Sequence, residues 1–265
     1  MSSCDVKNRK TWLLLPAAGI GSRMQADRPK QYLSMTVNGI TKTVIEFTLD
    51  NLLSYPDSRN THITDVGFHK VVVVITKGDP YWHDINIARG YDNNERILVV
   101  DGGSERCYSV VNALSVIDQM EVKNTDENLD EVWVAVHDVA RPCLSYADLD
   151  QLFLAVGNYK DGGILATPVR DTMKRGIVVD SKESQIDHTV DREQLWHALT
   201  PQMFPLKPLL NNLQSALAEG FEVTDEASAM EYAGAQPKLV SGRSDNLKIT
   251  RPEDLKLAEF YLNNF

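Results

Sequence analysis

The residues best suited to chemistry open the chain. Leu13 to Tyr32, LLLPAAGIGSRMQADRPKQY, is an apolar run that breaks at Pro16 into the small-residue turn Ala17-Ala18-Gly19-Ile20-Gly21-Ser22, and cations follow at Arg23 and Lys30. A turn without bulky side chains lets backbone N–H groups approach an anion, and a helix starting after it adds its positive dipole end. With Arg23 and Lys30 covering the charge of a polyphosphate, the stretch reads as a nucleoside triphosphate site. The alternative is an ordinary strand-to-helix turn whose Arg and Lys serve solubility. Neither of two better-known phosphate loops fits. No G-x-x-x-x-G-K-[ST] string occurs, and the G-x-G-x-x-G pattern begun at Gly19 meets Met24 where its third glycine belongs.

Further along, Asp138 directly follows the apolar run Val132 to Val136, the place for a carboxylate that binds Mg2+ beside phosphates. A turn or helix-cap aspartate is the other reading. Arg141 suits a contact to phosphate or substrate, or a salt bridge to a nearby carboxylate, while His137, packed at a strand end, reads as structural. Lys248 lies among apolar neighbours in Asn246-Leu247-Lys248-Ile249-Thr250, so period-two alternation points it away from them, toward either a crevice or solvent. Asp245 is a possible second metal ligand by position and reads better as a turn aspartate.

These residues must be positioned by something. Val71 to Ile75, Ile97 to Val100 and Val132 to Val136 are apolar runs expected as buried parallel strands, with Gly162 to Val169 and Trp196 to Phe204 as further strands. Between them Val44 to Ser54 and the segment carrying Val110, Val111, Leu114 and Ile117 show helical spacing. So do Leu149 to Val156, after the cap-like Ser145-x-x-Asp148, and Leu206 to Leu217. Thr224-Asp225-Glu226 opens a shorter helix ending at Gly234, Asn246 to Thr250 is expected as a late strand, and Thr250-x-x-Glu253 as the cap of the last helix. Residues 1 to about 10, Tyr55 to Lys70 and the acidic stretch Asp118 to Glu131 are expected as a tail and loops. Strands alternating with helices imply an α/β fold with a doubly wound, mostly parallel sheet, whose ligands sit at the carboxyl ends of the strands. The loops after Leu15, Val100 and Val136 meet there. Arg170 to Arg192 differs, alternating polar residues and β-formers around a turn at Asp180 to Glu183. It reads as a protruding β-hairpin arm that either packs on a second subunit or forms a flexible flap.

The totals set limits. A chain of 265 residues with 43% apolar and 24% charged residues suits a globular protein with a substantial core. Its 27 Lys and Arg against 37 Asp and Glu leave a net charge of −10, which argues against nucleic acid as a partner but not against a small anion in a locally basic pocket. Cys4, Cys107 and Cys143 are scattered without a CxxC, so neither a disulfide framework nor a zinc site is expected. No apolar run reaches membrane-spanning length and the start MSSCDVKNRK lacks a signal-peptide core, so no membrane association and a cytoplasmic enzyme are expected.

Taken together, LPAAGIGSRM with PKQY, DGGSERCYSV, HDVARP, PVRDTMKR, HTVDREQLWHALTPQMF, VTDEASAMEYAG and SDNLKITRPEDL resemble the 2-C-methyl-D-erythritol 4-phosphate cytidylyltransferases. The resemblance runs from about Leu13 to Leu262, interrupted mainly by extra residues in two polar loops, roughly Asp57 to Lys70 and Glu121 to Glu131. It implies one nucleotidyltransferase domain spanning 1–265, with a dimerisation arm inserted at about 169–192. It also implies transfer of a cytidylyl group from CTP to a sugar-alcohol phosphate, with Mg2+ as cofactor and loss of pyrophosphate. Carried over residue by residue, Ala17, Ala18, Gly19 and Gly21 would hold the CTP phosphates and ribose through the backbone, and Arg23 and Lys30 would stabilise the transition state. Gly103 and Ser109 would help select cytosine, and Asp138 would ligate Mg2+. Arg141, Thr200, Thr224 and Lys248 would line the acceptor pocket. In a homodimer that exchanges its arms, Thr172 and Arg192 would complete the neighbouring subunit's pocket. The nearest rival keeps the chemistry and changes the acceptor to ribitol 5-phosphate or another polyol phosphate. A nucleotide-binding module without turnover and a dinucleotide oxidoreductase are more distant; the intact Arg23, Lys30 and Asp138 oppose the first, and the missing third glycine opposes the second.

Overall fold

The computed structural model describes residues 10–19, 27–55, 67–123, 132–157, 159–179 and 184–264. In chain order its elements are β1 (Lys10–Pro16), β2 (Ser34–Val37), β3 (Ile40–Thr43), α1 (Val44–Ser54), β4 (Val71–Ile75), α2 (Pro80–Arg89), β5 (Ile97–Asp101), α3 (Arg106–Lys123) and β6 (Val132–Val136). They continue as α4 (Tyr146–Val156), β7 (Gly163–Pro168), β8 (Met173–Val178), β9 (Ser184–Val190), β10 (Trp196–Pro205), α5 (Leu206–Ala218), α6 (Glu226–Tyr232), β11 (Lys238–Ser241) and α7 (Pro252–Asn263).

A seven-stranded sheet runs in the order β11-β7-β10-β6-β1-β4-β5. β1 lies at its heart, parallel to β4 with Leu13 opposite Val71 and parallel to β6 with Leu13 opposite Ala135. β5 continues parallel beyond β4, and β11 is parallel to β7. β10 runs against both its neighbours, β6 and β7. The fold is thus the mostly parallel α/β arrangement that the alternating pattern implies. The apolar runs of β1, β4 and β6 follow from burial on both faces. Period-two alternation sends Leu13, Leu15, Val71 and Val73 to one side, where α1 and α4 bring Ile45, Leu49, Leu52, Leu149, Leu152 and Phe153. Trp12, Leu14, Val72 and Val74 face the other side, against Val110 and Leu114 of α3, Leu209 and Leu213 of α5 and Met230 of α6.

Because β1, β4, β5 and β6 share a direction, their carboxyl ends open at one edge of the sheet. The chain leaves β1 toward β4 and β5, then crosses back to β6 on the opposite flank. A crevice therefore forms beside β1, where the strand order reverses.

Local rules account for most boundaries. Ser145 accepts the Asp148 N–H at the start of α4, as its spacing predicts, and Thr43 and Glu46 make a full capping box on α1. The cap of α7 is displaced by one residue from the expected Glu253: the Asp254 carboxylate takes the backbone N–H of Thr250 and of Arg251, each at 2.8 Å. The acidic stretch expected as a loop from Asp118 is helical through Lys123. Glu121 is turned inward there and held by Lys10 at 2.9 Å and by the Trp12 indole N–H at 2.8 Å, so the helix continues under β1.

A larger departure concerns Asn246 to Thr250, expected as a strand. The late strand of the sheet is instead β11, at its edge, and 246–250 is irregular, belonging to no strand. Its alternation serves packing on the loop after β6: Ile249 is buried against Met35, Val44 and Ala140, and its N–H donates to the Ala140 carbonyl at 2.9 Å. The hairpin expected between Arg170 and Arg192 is present as β8 and β9, antiparallel with Met173 opposite Val190, and its expected turn at 180–183 lies outside the described residues. Nearly all of it is exposed, including Ile177, Val178 and Ile186.

Candidate functional site

Residues 17–19 leave β1 at its carboxyl end. The Ala17 N–H donates to the Val74 carbonyl at 2.7 Å, keeping the turn beside β4. Its own carbonyls are held from outside: the Gln31 side-chain amide donates to Ala17 at 2.6 Å and Gly19 at 3.0 Å, and the Thr76 hydroxyl to Ala18 at 3.1 Å. With these carbonyls already bonded, the small side chains of the turn leave room in the crevice they line. The loop after β5 closes against it. A Cβ on Gly102 would lie 2.6 Å from the Ala18 Cβ, so the two turns touch at van der Waals distance only because Gly102 has none. Next to it the Gly103 N–H donates to the Ser109 hydroxyl at 3.0 Å, which in turn donates to the Glu105 carbonyl at 3.0 Å.

Lys30 begins the 3-10 turn Lys30–Tyr32, whose Gln31 and Tyr32 are buried. The Tyr32 hydroxyl donates to Asp79 at 2.8 Å, and burial, followed by that carboxylate, raises its pKa well above the ordinary tyrosine value. On this fixed base the Lys30 ammonium donates to the Ile249 carbonyl at 2.9 Å, joining the first and last parts of the chain.

Asp138 forms the floor. Its side chain meets Lys248 at 2.7 Å, Arg106 at 3.3 Å and Arg141 at 3.6 Å, and the residue is 7% exposed. Burial alone would raise its pKa; Arg106, Lys248 and Arg141 outweigh it and hold the carboxyl well below the usual carboxylate range. Arg106 spans two carboxylates, since it also grips the buried Glu226 through both terminal nitrogens at 2.7 and 3.1 Å.

Behind Asp138 a chain of hydrogen bonds sets the backbone. The carbonyl of Arg141 can only accept, so His137 donates to it from Nε2 at 3.1 Å and keeps Nδ1 as an acceptor. The Thr200 hydroxyl then donates to Nδ1 at 3.0 Å and accepts the Asp138 N–H at 3.0 Å. Burial pushes the His137 pKa down to about 4, so the ring is neutral and the arrangement self-consistent. The Arg141 guanidinium donates to the Asn246 carbonyl at 2.6 Å, and the Asn246 side-chain amide donates to the Thr200 carbonyl at 2.8 Å. His137 is therefore structural, as expected, and it anchors the Asp138 backbone.

A cavity of about 420 Å³ opens over this floor, lined by Ala17, Ala18, Gly19, Lys30, Gly103, Ser109, Asp138 and Lys248 among the expected residues. Lys248 thus faces the crevice. Arg141 and Thr200 lie buried beneath the lining, and Thr224 is an exposed residue of the loop before α6. Thr172 and Arg192 flank the base of the arm and are not among the residues that line this cavity; Arg192 donates to the Arg170 carbonyl. Asp245 pairs with Arg243 at 3.0 Å, the turn role expected of it. Gly21 and Arg23 lie outside the described residues. Sequence reasoning missed Gln31, Ser104, Glu105 and Arg106, which also line the cavity. Gln31 and Arg106 adjoin motif residues, but nothing local signals that either reaches across the crevice.

Among the described residues no helix is long and apolar enough to cross a membrane, and no cluster of three metal-ligating side chains occurs.

The family model described as IspD: 2-C-methyl-D-erythritol 4-phosphate cytidylyltransferase matches residues 11–264. The chain is 49% identical over 250 residues to the 2-C-methyl-D-erythritol 4-phosphate cytidylyltransferase of Vibrio atlanticus, covering 94% of each. To the protein of that name from Photobacterium profundum it is 51% identical over 249 residues, again covering 94% of each. A crystal structure of a 4-diphosphocytidyl-2C-methyl-D-erythritol synthase superposes with a TM-score of 0.73 at 32% identity, over 96% of this chain and 100% of that one.

Proposed function

Because the chain belongs to the 2-C-methyl-D-erythritol 4-phosphate cytidylyltransferase family, we propose that it joins CTP to 2-C-methyl-D-erythritol 4-phosphate, forming 4-diphosphocytidyl-2-C-methyl-D-erythritol and pyrophosphate for non-mevalonate isoprenoid synthesis. The observation that carries this reading is the cavity itself. A small-residue turn, two lysines and a carboxylate from distant parts of the chain line one volume of about 420 Å³.

The acceptor's phosphate oxygen attacks the α-phosphorus of CTP. One P–O bond forms there, and the bond to the departing pyrophosphate breaks. A phosphate monoester is already ionised near neutral pH, so no general base is required. The obstacle is repulsion between two polyanions, and fixed positive charge is the remedy. Backbone N–H groups of Ala18, Gly19 and Gly21 receive the CTP phosphates, Ala17, whose own N–H is taken by the Val74 carbonyl, sets the turn, and Arg23 and Lys30 meet the charge that grows at the α-phosphate. Gly103 and Ser109 present the backbone and hydroxyl that select the base. Lys248, at the cavity wall, fixes the acceptor phosphate, and Thr224 stands at the acceptor side. Arg141 and Thr200 act from beneath, by holding Asp138 and the segment that carries Lys248.

The residues present fit Mg2+ held in the manner usual for nucleotide enzymes, by one carboxylate and the substrate's own phosphates. Asp138 is the candidate ligand: it lines the cavity and its lowered pKa keeps it anionic. When bound, Mg2+ would neutralise phosphate charge between the reactants. The active species in this reading is a homodimer of single-domain subunits whose arms, about 169–192, bring Thr172 and Arg192 to the neighbouring site. The exposed apolar residues of β8 and β9 support an arm that is covered in the assembly. A reducing cytoplasm suits the free, buried Cys107 and Cys143.

Pyrophosphate release by the purified chain tests the reading. CTP with the methylerythritol phosphate should give turnover, with UTP, ATP and ribitol 5-phosphate far behind. Faster turnover with ribitol 5-phosphate would reassign the acceptor, and none with any pair would remove the activity.

A further inference from the structure

Arg106 occupies the first position of α3, immediately after the loop expected to select the base. Its guanidinium has five N–H donors in a rigid fork, and here the fork is divided. Both terminal nitrogens grip Glu226 at 2.7 and 3.1 Å, while Nε points to Asp138 at 3.3 Å. Glu226 is a rigid anchor. It is 1% exposed and begins α6, whose first turn is fixed by the Asp225–Ser228 capping box. Gln202 adds to this, donating to Asp225 at 2.8 Å and accepting the Ala227 N–H at 2.9 Å. Arg106 also lines the cavity. One side chain thus ties the nucleotide loop, the carboxylate at the floor and the helix that follows Thr224.

We propose that Arg106, anchored by Glu226, is a positioning residue that sets Asp138 and the loop of Gly103 at the separation CTP transfer requires. The assignment rests on the cytidylyltransferase reading above. A bidentate grip on a buried anchor fixes the guanidinium plane, and with it the direction in which Nε meets Asp138. Lysine, with a single ammonium, cannot hold Glu226 bidentately and meet Asp138 through a second edge. The arrangement therefore needs arginine.

The test must separate placement from stability, because removing one member strands a buried charge. Arg106→Gln leaves Glu226 unpaired and lowers the thermal midpoint. The double variant Arg106→Gln/Glu226→Gln removes both charges and returns the midpoint toward that of the parent. If the pair positions the site, kcat/KM for CTP stays reduced by about ten- to a hundredfold in both, as for other groups that orient a ligand through a neighbour. Calorimetric CTP binding without acceptor weakens in parallel, and Arg106→Lys fails to rescue either. Recovery of CTP affinity and kcat/KM along with the midpoint in the double variant would reduce the pair to a structural salt bridge and overturn the proposal. So would full rescue by Arg106→Lys. A parent protein without turnover would remove the cytidylyltransferase reading and this assignment together, whereas a normal parent with unimpaired variants removes the assignment alone.

Discussion

At the scale of single residues, the site rests on charges held where water is scarce. Lys30 is anchored at its stem by a buried turn and at its tip by the Ile249 carbonyl, so the ammonium is positioned before any anion arrives. Lys30→Ala should lower kcat by on the order of a hundredfold or more, comparable to the loss of an oxyanion donor, with the thermal midpoint nearly unchanged. Steady-state pyrophosphate release checks this, and a near-normal kcat would take Lys30 out of the reaction. His137 makes a different prediction. Its pKa falls from 6.5 to about 4 on folding, so between those values the unfolded chain binds more protons and stability rises with pH. The contribution is complete at neutral pH and lost as pH falls through that window, amounting to about 2 kcal/mol between pH 7 and pH 5. Urea midpoints with a chelator present should follow that slope, and His137→Gln should flatten it; an equal slope in both would deny the ring its buried neutral form.

At the scale of elements, the contact between the turn after β1 and the loop after β5 governs the nucleotide half of the cavity. Gly102→Ala inserts a methyl 2.6 Å from the Ala18 Cβ and 3.3 Å from the Ile75 carbonyl, both on rigid backbone. Overpacking of this kind costs about 1–3 kcal/mol, and here it is relieved by spreading the two loops, so CTP affinity should drop by roughly tenfold or more. Unchanged affinity by calorimetry would show that the loops are free to separate without consequence. How much of this was legible beforehand follows from the kind of signal. β1, β4 and β6 announce themselves because strands buried on both faces must be apolar throughout, and the loops at their ends inherit a location. The segment 246–250 misleads because its alternation is real: Ile249 is buried and Lys248 faces the cavity, but the surface packed against it is a loop. Alternation reports which side of an extended chain is covered and says nothing of what covers it. Arg106 stayed hidden for another reason. Its partner Glu226 is 120 positions away, and a pairing at that distance leaves no local pattern.

At the scale of the whole molecule, the cavity in one chain holds the nucleotide-side residues, while Thr172 and Arg192, at the base of an exposed arm, are not part of its lining. Exchange of arms between subunits makes a prediction that no single substitution can imitate. A Lys30→Ala chain damages its own cavity, and an Arg192→Ala chain damages its neighbour's. When the two inactive preparations are mixed and reassembled, each mixed dimer has one site with both lesions and one with neither, so roughly a quarter of all sites should regain function. Activity that stays flat on mixing, with subunit exchange confirmed by mass, would mean that the arm serves its own chain or none.

Lys30 rests on the carbonyl of Ile249, and Asp138 leans on Lys248. A ribosome making this polypeptide must therefore extrude residues 248 and 249 before the lysine and the carboxylate of the site are both held. Any fragment ending short of residue 248, whether from premature termination or proteolytic clipping, carries the nucleotide turn and lacks the strand of backbone that steadies its lysine. Such products would be catalytically silent, and competence cannot precede synthesis of that segment.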